Sequence, residues 1–397
     1  MTAERPPAVL VLDGNQRSAL AVVRSLGARG VRVIVAEVVE RSLAGSSRFC
    51  SRRAVYASPS TDPDRFADDV ANLARVHGVG VILPITDVTT GIILRNREQF
   101  IGSVLPFPDW DTYDRMTNKN TLLTVAAAAG VRTPATICIA SRDDLKTQAG
   151  AIRYPAVLKP VYSKVCLNNG WVGTNVLYVD NLRQLEDVTA NLPWFGTVPM
   201  LIQQRIEGEG QGVFALCDHG RVLVWFAHRR LREKPQTGGV SVLSESIALP
   251  ETLRLRTERM LSRVKWHGVA MIEYKLDRDG VPYLIEVNGR FWGSLQLAVD
   301  AGVDFPWLLY QMAIGRKIEP SASYEVGRRL RWLLGDIDRL YLILKDRHLS
   351  AVSKLREVFG FMRIFRFGMR YEVNRFSDPF PFLHELRDYL RALWRLA

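Results

Sequence analysis

The first part of the chain alternates between short apolar runs and amphipathic helical segments. "PAVLVLD" (7–13) has the pattern of a buried strand, "GNQRSALAVVRSLGARG" (14–30) that of an amphipathic helix, and "VRVIVAE" (31–37) that of a second strand. A strand, a helix and a strand within about 30 residues form a right-handed βαβ unit, which begins a parallel sheet. "FADDVANLARVHG" (66–78) and "VGVILPITD" (79–87) repeat this alternation. The pattern predicts a small α/β domain at the start of the chain.

The pattern changes to that of antiparallel hairpins after about residue 115. "GVFALCDHGRVLVWFAHRRLR" (212–232) predicts two strands that turn at "DHG". "GVAMIEYKLDRDGVPYLIEVNGRF" (268–291) predicts a second hairpin that turns at "DRDG". We therefore expect the section up to about residue 320 to be α+β and largely antiparallel.

Composition narrows the class of protein. The chain has 397 residues, 47% of them hydrophobic, and no run of 18 apolar residues, so a membrane-spanning helix is not expected. Its four cysteines have no CxxC or Cys/His spacing, and its first residues do not resemble a signal peptide. We expect a reduced cytoplasmic protein without structural zinc. The net charge of +12 favours anionic partners, which include nucleotides, acidic substrates, nucleic acid and anionic membranes.

Polar side chains alternate along "YLIEVNGRFWGS" (283–294), where Glu286, Asn288 and Arg290 occupy every second position. In a strand, side chains two residues apart point to the same face. Glu273 lies on the strand that the "DRDG" turn pairs with this one, so we expect the two carboxylates to lie together. Two carboxylates that close repel each other unless a cation neutralises them. Carboxylate and amide oxygens suit Mg²⁺, and Arg290 can neutralise a phosphate.

The same hairpin has a plainer interpretation, in which its Glu and Arg side chains form solvated ion pairs on a surface. Two lysines make the metal interpretation more specific. Lys159 ends the apolar strand "AVLKP", where a lysine is costly unless an anion meets it. Lys119 lies near the start of a helix, at the junction of the first two expected domains.

Taken in order, these segments resemble the ATP-grasp superfamily, close in layout to its biotin carboxylase, carbamoyl phosphate synthetase and carboxylate–amine ligase members. The resemblance covers roughly residues 5–310. It implies a Rossmann-like pre-ATP-grasp domain at 1–112 and an ATP-grasp catalytic domain of two α+β lobes at 113–320. A basic, aromatic, helical C-terminal extension would follow at 321–397.

The resemblance implies a role for each matching residue. The implied roles are phosphate contacts from Lys119 and Lys159, adenine contacts from Gln203, Gln204 and Ile206 in "LIQQRIEGEG", a ribose contact from Glu209, metal ligation by Glu273, Glu286 and Asn288, and catalysis by Lys159 and Arg290. The chain departs from the superfamily in the loop after the second lysine. Superfamily members usually carry a compact glycine run there, whereas "VYSKVCLNNGWVGTN" has only Gly170 and Gly173, with Ser163 and an extra Lys164.

The chemistry that the resemblance implies is the ATP-dependent joining of a carboxylate to an amine. Mg²⁺, with Mn²⁺ as the alternative ion, and ATP would activate the carboxylate as an acyl phosphate, and the amine would then displace phosphate. Arg229, Arg230 and Arg232 are candidates to clamp the substrate carboxylate, with a solvated hairpin edge as the alternative. Two other hypotheses remain open: a carboxylase or carbamoyl-type enzyme that activates bicarbonate, and a non-catalytic module that binds membranes or nucleic acid.

Residues 321–397 carry 15 Lys or Arg, nine Asp or Glu and many aromatic side chains. Basic amphipathic helices with aromatic residues can lie on anionic membranes. We favour instead a helical extension packed on the catalytic lobe, and keep as the alternative a tail that contacts the inner face of the membrane. The expected partners are a small carboxylate and a small amine; nucleic acid is not expected. The resemblance also allows a homodimer, since superfamily members often pair, but no segment of this sequence indicates an interface.

Overall fold

A computed structural model of the chain describes residues 6–161, 164–167, 170–173, 176–192, 195–196, 198–236, 238–362 and 368–394. For residues 164–167 and 170–173 it describes the backbone alone.

The first sheet is parallel and has four strands, in the order β3-β2-β1-β4. Its strands are β1 (Ala8–Val11), β2 (Val33–Glu37), β3 (Arg52–Val55) and β4 (Val79–Leu83). The helices that connect or follow them are α1 (Arg17–Gly27), α2 (Pro63–His77) and α3 (Asp87–Arg95). Every residue of β1 and β2 is buried, which is why both strands read as continuous apolar runs. The predicted α/β arrangement of this part of the chain is confirmed.

The second sheet is antiparallel, in the order β5-β10-β6-β9, and has a small core of its own. Two helices lead into it, α4 (Trp110–Thr117) and α5 (Lys119–Ala128). Its part of the chain contains β5 (Thr136–Ile139), α6 (Arg142–Gln148), β6 (Ala156–Pro160), β7 (Lys164–Leu167), β8 (Gly170–Gly173), β9 (Leu177–Val179), α7 (Leu182–Ala190) and β10 (Met200–Gln204). β7 and β8 pair only with each other, as a two-stranded ribbon.

The third sheet has seven strands, in the order β15-β14-β11-β12-β13-β16-β17. Its part of the chain contains β11 (Glu209–Asp218), β12 (Arg221–Lys234), β13 (Val240–Ser246), α8 (Glu251–Arg263), β14 (Gly268–Leu276), β15 (Pro282–Asn288), α9 (Leu295–Asp300), α10 (Phe305–Ala313), β16 (Arg329–Arg331), α11 (Leu333–Lys345), α12 (Ala351–Met362), β17 (Met369–Tyr371) and α13 (Phe380–Trp394). Both predicted hairpins are present. The "DHG" turn has two consecutive left-handed residues, His219 at φ 44° and Gly220 at φ 93°, as a tight hairpin requires.

The C-terminal extension differs from its prediction, because it is not helical throughout. β16 and β17 pair in parallel and add an edge to the third sheet. Both strands lie within the extension at 321–397 for which the sequence predicts helices. Three-residue strands are too short to produce a recognisable period of two, whereas the helices beside them dominate the hydrophobic pattern.

A buried ion pair fastens this extension to the first sheet's helix α1. Arg24 Nε donates to Asp378 Oδ2 at 2.9 Å, and its other nitrogens donate to backbone carbonyls of Glu372 and Val373. Ser47 Oγ and the backbone N–H of Arg48 also donate to Asp378. Arg24 and Asp378 are direct counterions, so removing one of these charges leaves the other buried without its ion-pair partner.

We therefore expect Asp378→Asn to lower the free energy of unfolding by about 3 kcal/mol, because Arg24 keeps its charge and loses its counterion. The measurement is urea-induced unfolding followed by circular dichroism. Asp279→Asn, at an exposed hairpin turn, is the matched control and should change the stability by less than about 0.5 kcal/mol. Equal effects of the two substitutions would contradict the proposed importance of the Arg24–Asp378 pair.

Candidate active site

Two carboxylates face each other across β14 and β15. Glu273 and Glu286 are direct cross-strand partners in the antiparallel register, so their side chains lie on one face. Burial raises the pKa of Glu273; Arg230 opposes this shift and the Glu286 carboxylate adds to it. Burial also acts to raise the pKa of Glu286, but Lys119, Lys159 and Arg230 outweigh it, so this pKa lies below its ordinary value. The pair thus depends on nearby positive charge.

That positive charge comes from Lys119 on α5, Arg230 on β12 and Lys159 on β6. Lys119, the first residue of α5, places its Nζ 3.7 Å from Glu286 Oε2. Arg230 on β12 forms an ion pair with Glu273 and donates to Glu233 Oε1 at 2.8 Å. Asn288 Nδ2 lies 3.3 Å from Glu286 Oε1 and donates to it. Lys119 is 167 residues from Glu286 in the sequence and Arg230 is 43 residues from Glu273, so folding alone brings these cations to the carboxylates.

Lys159 on β6 is the third cation that acts on these carboxylates. It is buried, and its Nζ donates to Gln203 Oε1 on β10 at 2.8 Å. Gln203 Nε2 in turn donates to Thr136 Oγ1 on β5 at 2.9 Å. Burial, reinforced by the charge of Lys119, lowers the pKa of Lys159 to about 8. Among the described residues, no carboxylate accepts a hydrogen bond from this ammonium. The negative charges of Glu286 and Glu273 nevertheless act to raise its pKa, against the larger effect of burial.

A cleft of about 550 Å³ separates the second sheet from the third and contains these groups. Gln204 and Ile206 line it, as do both carboxylates and Asn288. Among the described residues, seven Lys or Arg side chains line it against three glutamates. The cations are Arg17, Lys119, Lys159, Arg205, Arg230, Lys275 and Arg290, and the acids are Glu233, Glu273 and Glu286. Such an excess of positive charge favours an anionic ligand.

Arg290 has a partner that the sequence did not indicate. Its Nε and Nη2 donate to the two carboxylate oxygens of Asp87, each at 3.0 Å, in a bidentate pair. Asp87 is the first residue of α3, directly after the carboxyl end of β4. The available signal was the "PITD" sequence, because polar residues at the carboxyl ends of parallel strands often line ligand sites. Gly289 is required beside Arg290, since a Cβ there would lie 2.7 Å from the rings of Trp266 and Tyr113.

Three of the candidate residues lie away from this cleft. Glu209 and Arg229 do not line it; Arg229 Nη1 lies 3.5 Å from Glu209 Oε2, and its Nη2 donates to Glu245 Oε2 at 2.7 Å. Arg229 pairs with Gln211 of β11, whereas Glu273 pairs with the next residue of that strand, Gly212. Because neighbouring residues of a strand point to opposite faces, the Arg229 side chain points away from the face that carries Glu273. Arg232 donates to the buried Asp336 of α11 at 2.8 Å. Arg230 is thus the one arginine of the three that lines the cleft.

The predicted phosphate loop is described only in part. Ser163 and the side chain of Lys164 lie outside the described residues, and the backbones of Gly170 and Gly173 belong to β8.

The donor set fits a Mg²⁺ ion. Glu273, Glu286 and Asn288 offer two carboxylates and one amide oxygen from a single sheet face, with neither thiol nor imidazole among them. Hard oxygen ligands of this kind are those that Mg²⁺ prefers, with water and phosphate completing its coordination. The raised pKa of Glu273 also indicates a carboxylate that further positive charge would stabilise.

Comparison with known proteins agrees with this architecture. The family described as "ATP-grasp in the biosynthetic pathway with Ter operon" matches residues 196–334. The fold is similar to that of the L-amino acid ligase from Bacillus licheniformis, at 20% identity and a TM-score of 0.61, over 81% of this chain and 76% of that one. It is also similar to the N5-carboxyaminoimidazole synthetase from Staphylococcus aureus complexed with ADP, at 11% identity and a TM-score of 0.65, over 83% and 82% of the two chains.

A third similar structure is the biotin carboxylase–β,γ-ATP complex from Campylobacter jejuni, at 17% identity and a TM-score of 0.64, over 81% of this chain and 74% of that one. Each of the three similarities covers more than four-fifths of this chain. Residues 196–334 thus match an ATP-grasp family, and the fold of the chain is similar to that of the three structures, in agreement with the resemblance that its motifs predicted.

The described part of the C-terminal extension packs on the rest of the protein. Besides the Arg24–Asp378 pair, it contributes Glu372 to an ion pair with Arg17 at 2.5 Å and Asp336 to the contact with Arg232. Among the described residues, none of the helices combines the length and apolar character that crossing a bilayer would need. This packing agrees with the interpretation that the sequence analysis favours, and contact of the tail with an anionic membrane stays an untested alternative.

The Asp87–Arg290 pair should be energetically coupled, because the two side chains share two hydrogen bonds and opposite charges. We expect Asp87→Asn and Arg290→Gln each to lower the free energy of unfolding by about 1.5–3 kcal/mol. The double variant should cost little more than either single one, which corresponds to a coupling of about 1–2 kcal/mol. Urea denaturation of the four proteins in the cycle gives this number, and additive effects would contradict the pairing.

Proposed function

We propose that this protein is an ATP-dependent ligase that activates a substrate carboxylate as an acyl phosphate and joins it to an amine. The observation that carries the proposal is the cleft between the second and third sheets, where two facing carboxylates lie in a lining with seven described cations. A nucleoside triphosphate and a carboxylate are both anionic, so their negative charges must be neutralised before a phosphoryl group can pass between them. The structures of similar fold include an ADP complex, which supports a nucleotide as the occupant.

The nucleotide would lie in the cleft between the second and third sheets. Lys119 and Lys159 are placed to contact its phosphates, and Gln203, Gln204 and Ile206 line the part of the cleft formed by the end of β10. The hydrogen bond between Lys159 and Gln203 would hold the ammonium in position before the nucleotide binds. Glu209 is left out of the proposed site, because its carboxylate contacts Arg229 and Gln211 outside the cleft.

Glu273, Glu286 and Asn288 would hold Mg²⁺, which supplies charge neutralisation to the phosphates when it is bound. The substrate carboxylate attacks the γ-phosphorus, the bond to the β–γ bridging oxygen breaks, and ADP leaves. The amine nitrogen then attacks the acyl carbon, phosphate leaves, and the nitrogen loses a proton. Arg290 would lie beside the transferred phosphoryl group, with its orientation fixed by Asp87.

Release of ADP from Mg·ATP should require a carboxylate and an amine together. The assay uses pools of amino acids, small carboxylates and amines, with bicarbonate in a separate pool. Glu286→Gln should lower the rate by at least about 100-fold, because one metal carboxylate and its charge are lost. Glu98→Gln, on an exposed turn, is the matched control and should leave the rate unchanged.

The pools also separate the competing functions. Release that depends on bicarbonate would favour a carboxylase or a carbamoyl-type enzyme over a carboxylate–amine ligase. Absence of both ATP binding and ADP release would favour a non-catalytic module.

Nucleotide affinity should depend on the charge of Lys159. Because its pKa in the free protein is about 8, the ammonium loses its proton as the pH rises above that value. The affinity for Mg·ATP should then fall by up to about tenfold for each pH unit, since only the charged form pairs with phosphate. Calorimetric titration between about pH 7 and 10 measures this dependence.

Lys159→Arg should flatten the pH profile of Mg·ATP affinity, because a guanidinium stays charged over the whole range. Lys317→Arg, at an exposed site, should keep the wild-type profile. An unchanged slope in Lys159→Arg would assign the titration to another group.

A further inference from the structure

A second cavity lies on the other side of the proposed metal residues. Its volume is about 550 Å³, and α3, α4, the start of α5 and the ends of β5 and β6 enclose it. Its walls are largely apolar and aromatic, with Val88, Ile92, Trp110, Tyr113 and Val198 among the lining side chains. The proposed nucleotide site does not include these residues, so the cavity has no role in the function proposed above.

The cavity and the cleft meet at the proposed reaction centre. Lys119, Pro160, Glu286 and Asn288 line both of them. A ligand in the cavity would therefore reach the same carboxylate and amide that face the phosphates of a nucleotide in the cleft. Two substrates that must react with each other need this arrangement, in which separate binding spaces open onto one point.

The two spaces differ in charge. The cleft has seven Lys or Arg side chains against three glutamates, whereas the charged groups lining the cavity are Asp87, Asp114, Glu286, Arg95 and Lys119. Arg95 places its guanidinium 3.9 Å from the centre of the Trp110 ring, at the cavity wall. The cavity thus carries a slight excess of acid over a large aromatic surface. This character suits an amine with an apolar body better than a second anion.

We propose that this cavity binds the acceptor of the ligase, and that the acceptor is a primary amine with a large apolar side chain. This inference rests on the proposed function, because it assigns the second substrate of the same site. The carboxylate substrate would share the cationic cleft with the nucleotide. The amine nitrogen would lie beside Glu286 and Asn288, with its apolar body against Trp110 and Tyr113.

Gly91 offers a way to fill the cavity. It lines the cavity from α3, and a Cβ at this position would lie 3.5 Å from the Trp110 ring, an ordinary contact. Gly91→Ala should therefore fold normally, and Gly91→Val should place additional methyl groups in the space beside the ring. Gly150→Val is the matched control, because a Cβ there has no neighbour within 4 Å and Gly150 is exposed.

The first measurement is calorimetric binding of L-phenylalaninamide and of glycinamide to the full chain without nucleotide. Neither amide has a carboxylate to activate, so each can serve only as an acceptor. L-Phenylalaninamide should bind at least about tenfold more tightly than glycinamide, because its ring is buried in the cavity. Gly91→Val should reduce this ratio to less than about threefold, and Gly150→Val should leave it unchanged. Equal binding of the two amides to the wild-type protein would overturn the proposal.

Cys138 provides a readout that needs no variant. It lines the cavity and is half-buried, as is Cys50, which does not line it. L-Phenylalaninamide should slow alkylation of Cys138 by N-ethylmaleimide, measured by peptide mass spectrometry, while Cys50 reacts at an unchanged rate. Equal rates at Cys138 with and without the amide would place its binding outside the cavity and overturn the proposal.

ADP release then separates this inference from the proposed function. If carboxylate pools support ADP release equally well with glycinamide and L-phenylalaninamide, the ligase proposal holds and the apolar acceptor is wrong. If L-phenylalaninamide protects Cys138 but no carboxylate pool supports ADP release with it, the cavity binds amines and the acceptor role is wrong. The expected result is release at least about tenfold faster with L-phenylalaninamide, when both amides are below saturation.

Discussion

The repulsion between Glu273 and Glu286 is the constraint on which the arrangement of the candidate site depends. The hairpin register forces the two carboxylates onto one face, where burial makes their charges more costly. Their neutralisation requires cations from elements that lie far away in the sequence. Arg230 comes from β12, Lys119 from the start of α5, and Lys159 from β6 in a different sheet. The two antiparallel sheets are thus joined by charge as well as by the chain between them.

The first sheet is connected to the same centre through Arg290. This arginine follows β15 directly, yet its bidentate partner Asp87 begins a helix of the parallel sheet. A bidentate pair fixes both the distance and the plane of the guanidinium. Movement of the first sheet relative to the third would therefore displace a side chain at the phosphoryl-transfer position that we propose. The second cavity lies along this junction, bounded by α3 and α4 on one side.

The C-terminal extension also contacts a residue that lines the cleft. Glu372 holds Arg17, which lines the cleft, and burial raises the pKa of Glu372 to about 7. Asp336 pairs with Arg232 at the end of β12, close to the segment that leads into β13. The extension therefore supports the cleft through ion pairs, which explains part of its charged composition without a membrane.

The sequence by itself determined the local structures and the cross-strand carboxylates. The alternation of strands and helices specified the parallel sheet, and tight turns specified the two hairpins, because both signals depend on neighbouring residues. The pairing of Glu273 with Glu286 followed from turn length and the period of a strand. Tertiary structure alone decided the partner of Arg290, the outward direction of Arg229 and the strands in the extension. These depend on contacts between residues separated by 16 to more than 200 positions, or on register shifts within β12. No local pattern encodes such contacts, so the position of Asp87 and the cavity beside it became visible only in the folded chain.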